Sequence, residues 1–267
     1  VIYNLFTKDV KNKILNNKNE IKIKKNSELH VIEYTINESE FKFINNCYEN
    51  IILEDKSKFR NLYLQNKKSE GFFYKFLKNN LSFNSDYTCF IFSSGPRFNK
   101  LDLEFDLLDE KCNCKVFSAL FLNNNEHQEI KTRINHLAPN CNSYQKVKNV
   151  LDSKSRGVFQ GKIHVKDVAQ KTDAYQLSKA LLLSDNAEFN SKPELEIYAD
   201  DVKCSHGSTS GSVDEDSLHY LMTRGLTRKE SMKLLVKGFL SDIVEYIKNP
   251  SIKKFVEKKI EEQIHEY

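Results

Sequence analysis

No apolar run in this sequence approaches the ~20 residues that a membrane-spanning helix needs, so no membrane span is expected. No basic n-region followed by an apolar h-region opens the chain, and a secretory signal is not expected either. Cysteine is sparse. Cys47, Cys89, Cys112, Cys114, Cys141 and Cys204 are scattered through 267 residues, and only one pair is close. That is not a disulfide framework, and a reducing compartment is the better expectation. The phosphate-cradling string GxxxxGK followed by Ser or Thr is absent, so this chain is not expected to bind or hydrolyse ATP itself. GxGxxG, HExxH and GxSxG are absent as well. A charge excess of one sign is also missing: 41 basic and 37 acidic residues leave a net +4, too balanced to argue for nucleic acid. Glycine is scarce, with 8 residues, whereas Lys and Asn are abundant. Runs such as Lys11-Asn12-Lys13 and Asn16-Asn17-Lys18-Asn19 read as compositional bias and solvated surface.

The chain is long enough for one large β domain and a small appendage. Short alternating runs recur along it. Ile21 to Lys24, His30 to Ile36, Phe59 to Leu64, Phe72 to Leu77, Tyr87 to Phe92 and Val116 to Leu122 all read as strands. Leu101-Asp102-Leu103-Glu104-Phe105-Asp106-Leu107 alternates strictly and is the clearest of them. Lys162 to Lys166, Leu181 to Leu183 and Leu195 to Tyr198 continue the series, with polar turn residues between. Val1 to about Asn19 is polar and irregular and carries no assignment, and Phe41 to Leu53 is ambiguous. No helix-period stretch falls before Asp214. Closely spaced strands of this kind suit a hairpin sheet, or a coil of parallel strands in which each rung leans on the next.

Past Gly211 the period changes. Asp214 or Asp216 can cap a helix carrying Leu218, Leu221 and Met222, with Gly225 placed to end it. Thr227-Arg228-Lys229-Glu230 is a capping box. Met232, Leu235, Val236, Phe239, Leu240, Ile243, Val244 and Ile247 follow at helical steps, giving an amphipathic helix from Thr227 to Lys248. Asn249-Pro250 breaks it. A last helix from Ser251 carries Ile252, Phe255, Val256, Ile260 and Ile264. Two domains are expected, residues 1–212 and 213–267.

Cys204 and His206 are two apart, so on a strand both side chains leave the same face. A thiolate beside an imidazole suits soft or borderline metals, including iron bound with sulfide. Two ligands make an incomplete site, and the rest must come from elsewhere. The plain alternative is a buried Cys beside a surface His. Cys112 and Cys114 form a second i, i+2 pair, and a lone CxC reads as structural. His136 and His164 read as rung-packing or turn residues, and Asp200-Asp201 as turn or rung-edge residues.

Long strings of this chain resemble the SufB/SufD family of iron–sulfur assembly proteins, on its SufD side. They are SRGVFQGKIHV (155–165), AQKTDAYQ (169–176), LLLSDNAEFNSKPELEIYADDVKCSHG (181–207) and YLMTRGLTRKES (220–231), in register and without gaps. Weaker likeness runs back to ELHVIEY (28–34) through LDLEFDLLDEKCNCKVFSALFL (101–122) and INHLAPNCNS (134–143). No counterpart of the family's helical N-terminal domain is expected ahead of it. The resemblance implies a mainly β fold: a right-handed parallel β-helix, followed by a small C-terminal α-helical domain. It implies a non-catalytic scaffold subunit that pairs with a SufB-like subunit and docks SufC, an ABC-type ATPase. A nascent iron–sulfur cluster, shared with SufB, would assemble at their interface, with His206 as a ligand and Cys204 in the same motif. Any reduced flavin that the resemblance implies would belong to the complex as a whole, and no residue here decides it. Contact with SufC is expected through Arg224, Met232, Leu235 and Phe239. Cytoplasm is the expected location, with plastid stroma as the alternative. A SufB-like subunit is the nearest rival, but SufB-type sequences carry a glutamate-containing segment where this chain has Cys204-Ser205-His206-Gly207. A homodimeric scaffold and a polysaccharide-active β-helix enzyme are the other readings.

Overall fold

The computed structural model describes residues 1–38 and 40–266. Fifteen strands follow in chain order: β1 (Ile2–Phe6), β2 (Ile14–Ile23), β3 (Glu28–Asn37), β4 (Ile44–Leu53), β5 (Lys58–Gln65), β6 (Ser69–Leu81), β7 (Asp86–Ser93) and β8 (Pro96–Leu107), then β9 (Asn113–Leu122), β10 (His127–His136), β11 (Asn142–Leu151), β12 (Arg156–Val165), β13 (Asp173–Leu182), β14 (Glu188–Ile197) and β15 (Lys203–Ser212). Successive strands alternate between two sheets. The odd sheet is ordered β1-β3-β5-β7-β9-β11-β13-β15 and the even sheet β2-β4-β6-β8-β10-β12-β14. Neighbouring strands are parallel, as in β10 with β12 and β11 with β13. Each turn of chain therefore adds one strand to each sheet, making a parallel β-solenoid of about 7 turns.

The inward face of each strand stacks on the same face of the next, so the core is built of ladders. Leu53, Leu81, Leu107, His136 and Val165 occupy one register column of the even sheet. All five are fully buried. Each buried aliphatic of this kind contributes roughly 1.5–3 kcal/mol of hydrophobic stabilisation. No rung closes a core alone; stacking supplies it. The corners need left-handed backbone, which costs any residue with a Cβ. Asn26, Lys56, Asn84, Lys111, Asn140 and Lys171 have positive φ at successive even-to-odd corners. The corners are also bonded to one another, as in Asn26 N–H to Asp55 O and Lys56 N–H to Phe83 O.

The stretch from Val1 to Asn19 forms β1, a single 3-10 turn at Lys8–Val10, and most of β2. Its polar pattern has a physical reason: at the end of the stack most of β2 is exposed on both faces. The ambiguous Phe41 to Leu53 contains β4, preceded by a bend.

Three helices close the chain: α1 (Glu215–Thr223), α2 (Arg228–Val244) and α3 (Pro250–Glu266). Asp214 caps α1 and Gly225, at φ +96°, follows it. Thr227 and Glu230 make the expected capping box. Regular α2 ends at Val244, four residues earlier than Lys248. The chain tightens there, Tyr246 N–H bonding Ile243 O and Ile247 N–H bonding Val244 O, which still buries Ile247. α2 and α3 pack away from the last rung. Val236, Leu240, Ile243 and Val244 of α2, with Val256, Ile260 and Ile264 of α3, lie on the outer face of the odd sheet. Leu62, Leu64, Phe90, Phe92 and Phe117 meet them there. This explains why Tyr87 to Phe92 lacks alternation: β7 is buried on both faces. No helix among the described residues is long and apolar enough to cross a membrane.

Candidate functional site: the last rung

β15 pairs with β13 on one side and, among the described residues, with no strand on the other. The register sets Cys204 beside Ala174 and His206 beside Gln176. Ala174 and Gln176 are buried and face inward. Cys204 and His206 therefore share the inward face of the final strand, as their spacing predicts. Ser208 follows on that face and accepts from Ser178 Oγ at 3.0 Å.

The two side chains sit in different surroundings. Cys204 is half-buried against a small apolar cluster that includes Ile163, Ala174 and Ala199. Burial, with Asp173 nearby, raises its thiol above the usual range. The thiol is thus protonated near neutral pH until a cation displaces the proton. His206 is exposed. Its register neighbour Gln176 is fully buried and donates to Gly161 O at 3.3 Å and to Glu194 O at 3.4 Å. Gln176 Oε1 has no protein partner. A Cβ at Gly161 would collide with that oxygen and with the Phe159 ring, so glycine here makes room for Gln176. A thiol and an imidazole on one open rung can supply two ligands to an iron ion brought from outside. Among the described residues no group of three or more His, Cys, Asp or Glu is placed to hold a metal.

The remaining candidates are elsewhere. Asp200 and Asp201 lie in the bend before β15, where Asp201 O accepts from Lys171 N and Gln170 Oε1 accepts from Asp201 N. They hold the last corner. Cys112 precedes β9 and its thiol donates to Asp109 O at 3.0 Å, while Cys114 faces the core. Ser57, Ser85 and Thr172 make the same backward bond at other even-to-odd corners, so Cys112 stands in a serine-like position. His136 is fully buried, 2.9 Å from Ser143 Oγ, and burial together with His164 pushes it down to about 4. His164 packs edge-on against Tyr198.

On the helices, Arg224 is exposed with its guanidinium 5.2 Å from the Tyr220 ring centre. Met232, Leu235 and Phe239 are half-buried. Phe239 is committed within the chain: Lys148 Nζ lies 4.5 Å from its ring and donates to its carbonyl. The apolar side chains left open on α1 and α2 are Tyr220, Met222 and Leu234, exposed by 58%, 41% and 48%. Leu234 was legible as such, because it lies off the step that joins Val236, Leu240, Ile243 and Val244.

Comparison with known proteins agrees with this geometry. The family described as "SUF system FeS cluster assembly, SufBD core domain" matches residues 6–239. The iron–sulfur cluster assembly protein SufD of Escherichia coli is 32% identical over 191 residues, 71% of this chain and 45% of its own length. An iron–sulfur cluster assembly SufBD family protein of Synechocystis is 33% identical over 153 residues, 57% of this chain and 34% of its own. Protein ABCI7, chloroplastic, of Arabidopsis thaliana is 27% identical over 234 residues, 86% of this chain and 49% of its own. The chain spans about half or less of the length of these relatives. With a parallel solenoid, trailing helices and a family match over most of its length, the chain belongs to the SufBD family of iron–sulfur cluster assembly proteins.

Proposed function

We propose that this chain is a SufD-like scaffold subunit that pairs with a SufB-like subunit through its last rung. Cys204 and His206, side by side on the inward face of a strand with one unpaired edge, carry this reading. The partner's edge would extend the sheets and bring the missing ligands. His206 then offers a neutral nitrogen to the arriving iron. Cys204 follows once its proton is lost, so its contribution grows with pH. The cluster is cargo here, assembled and passed on.

The subunit performs no hydrolysis of its own in this reading. An ABC-type ATPase partner, SufC-like, docks on the helical end through Tyr220, Met222, Arg224 and Leu234, with Met232 and Leu235 behind them. Nucleotide-driven movement of that partner would reshape the interface at the last rung. Where no SufB-like subunit is present, the same unpaired edges of β14 and β15 would accept a second copy of this chain.

The test is co-expression of the tagged chain with SufB-like and SufC-like subunits, followed by assay of iron, acid-labile sulfide and stoichiometry. All three subunits are expected together, and His206→Ala should lower iron and sulfide while the partners still bind. A chain recovered alone, or unchanged cluster yield with His206→Ala, overturns the proposal.

A further inference from the structure

The turn between α2 and α3 roofs a cavity of about 620 Å3 on the outer face of the odd sheet, within the range of small-molecule sites. Its apolar lining is Ile32, Leu62, Phe90 and Phe117 from the sheet, with Ile247 and Ile252 from the roof. Tyr246 stacks on Phe117 at 4.3 Å between ring centres and stiffens one wall.

The charges around the rim are unequally matched. Each acid has a neighbour that satisfies it: Glu28 Oε1 lies 2.8 Å from His30 Nε2 with Lys58 nearby, Asp86 accepts from Arg60 at 2.6 Å, and Glu245 accepts from Lys253 at 2.7 Å. Lys58, Lys115 and Lys248 line the same cavity, and among the described residues none of the three forms an ion pair. Lys115 is half-buried beside the apolar floor. Lys58 lies near enough to Glu28 to help lower its carboxyl, whereas Lys115 and Lys248 face no rim carboxylate at ion-pair distance among the described residues. Cations in excess beside an apolar floor favour a negative charge there.

We infer that this cavity binds an organic anion, its apolar body over Phe90 and Phe117 and its carboxylate, sulfonate or phosphate among Lys58, Lys115 and Lys248. The site lies on the outer face of the solenoid, away from the last rung, and does not depend on the proposed subunit role.

The full chain would be titrated with 8-anilinonaphthalene-1-sulfonate, following dye fluorescence. Laurate and dodecyltrimethylammonium, with equal chains and opposite charge, would then compete for the site. One saturable site is expected, displaced by laurate and not by the cation. Combined Lys58→Ala, Lys115→Ala and Lys248→Ala should weaken binding about tenfold, and added salt should weaken it in the parent protein. Thr88→Phe, from a small buried residue in the lining, should block the site. Circular dichroism and the melting temperature establish that each variant is folded, and the lysine variant stands alone if Thr88→Phe is not. Several equivalent dye sites, equal displacement by the cationic chain, or unchanged affinity in the folded lysine variant overturns the inference.

Discussion

Two buried titratable side chains pull the pH dependence of stability in opposite directions. Glu126 sits at an odd-to-even corner, where it accepts from Gly95 N–H at 3.1 Å, and burial raises its carboxyl to about 7. Its unfolded value is near 4.3. The folded state thus keeps the proton that the unfolded chain loses. Stability from this group is fully present below about pH 4.3 and is lost as pH rises towards 7, by roughly 4 kcal/mol at most. His136 is the reverse. Its folded value of about 4 lies below the usual 6.5, so its contribution is complete above 6.5 and is lost as pH falls towards 4. Between about pH 4.3 and 6.5 the two slopes offset one another. Glu126→Gln keeps an acceptor for Gly95 and removes one slope. Melting temperatures from pH 5 to 8 should show the variant gaining on the parent as pH rises. A constant difference across that range would mean that Glu126 does not titrate as its burial implies.

At the scale of elements, α2 is fastened to the solenoid by charge as well as by apolar packing. Asp242 Oδ2 lies 2.6 Å from Lys146 Nζ and 2.5 Å from Lys148 Nζ, and the lysine side chains are only 11% and 7% exposed. Burial depresses the Lys148 ammonium, with Asp242 opposing that. Asp242→Ala leaves two nearly buried cations without their carboxylate, Lys148 keeping only the Phe239 carbonyl. The expected loss is about 2–3 kcal/mol, below the ~3–5 of a fully buried pair because Asp242 itself is 43% exposed. Replacing all three by apolar residues (Lys146→Met, Lys148→Met, Asp242→Leu) should cost less than the single change, since no charge is then stranded. Urea unfolding of both variants decides this; a triple variant weaker than Asp242→Ala would refute the charge argument.

The same scale shows what the sequence carried and what it did not. Leu101 to Leu107 was readable because one face meets the core and the other meets water. The capping box at Thr227 was readable because its bonds are local. Cys204 and His206 were readable as a same-face pair for the same reason. Which surface the helices cover was not, because Phe90 and Phe117 meet Leu240 and Ile243 only after the solenoid has wound. Asn12 lies in a run that read as compositional bias, yet it supplies a left-handed corner, as do Asn26, Asn84 and Asn140, in a chain with little glycine. β2 alternates only at its end, Ile21 to Ile23, because it has no even-sheet rung beyond it.

For the whole molecule, a solenoid is close to one-dimensional: each rung draws stability from its neighbours and from whatever covers its outer faces. The helices cover β5, β7, β9 and β11, so those strands are packed on both sides. β15 has one strand neighbour, a largely exposed burial pattern, and Gly207 and Gly211 in a ten-residue strand rich in serine. β14 is the matching edge of the even sheet, and much of it is open as well. Local opening should therefore cost less at the end rungs, including the one that carries Cys204 and His206, than in the middle of the stack. Amide hydrogen exchange on the isolated chain should show β14 and β15 exchanging orders of magnitude faster than β7 and β9. Adding a SufB-like subunit should slow exchange in β14 and β15 and leave β7 and β9 unchanged, because the new edge supplies the missing neighbour. Protection confined to the helices instead would move the interface away from the last rung. Equal protection of all strands in the isolated chain would mean that the final rung is held by something other than its neighbours.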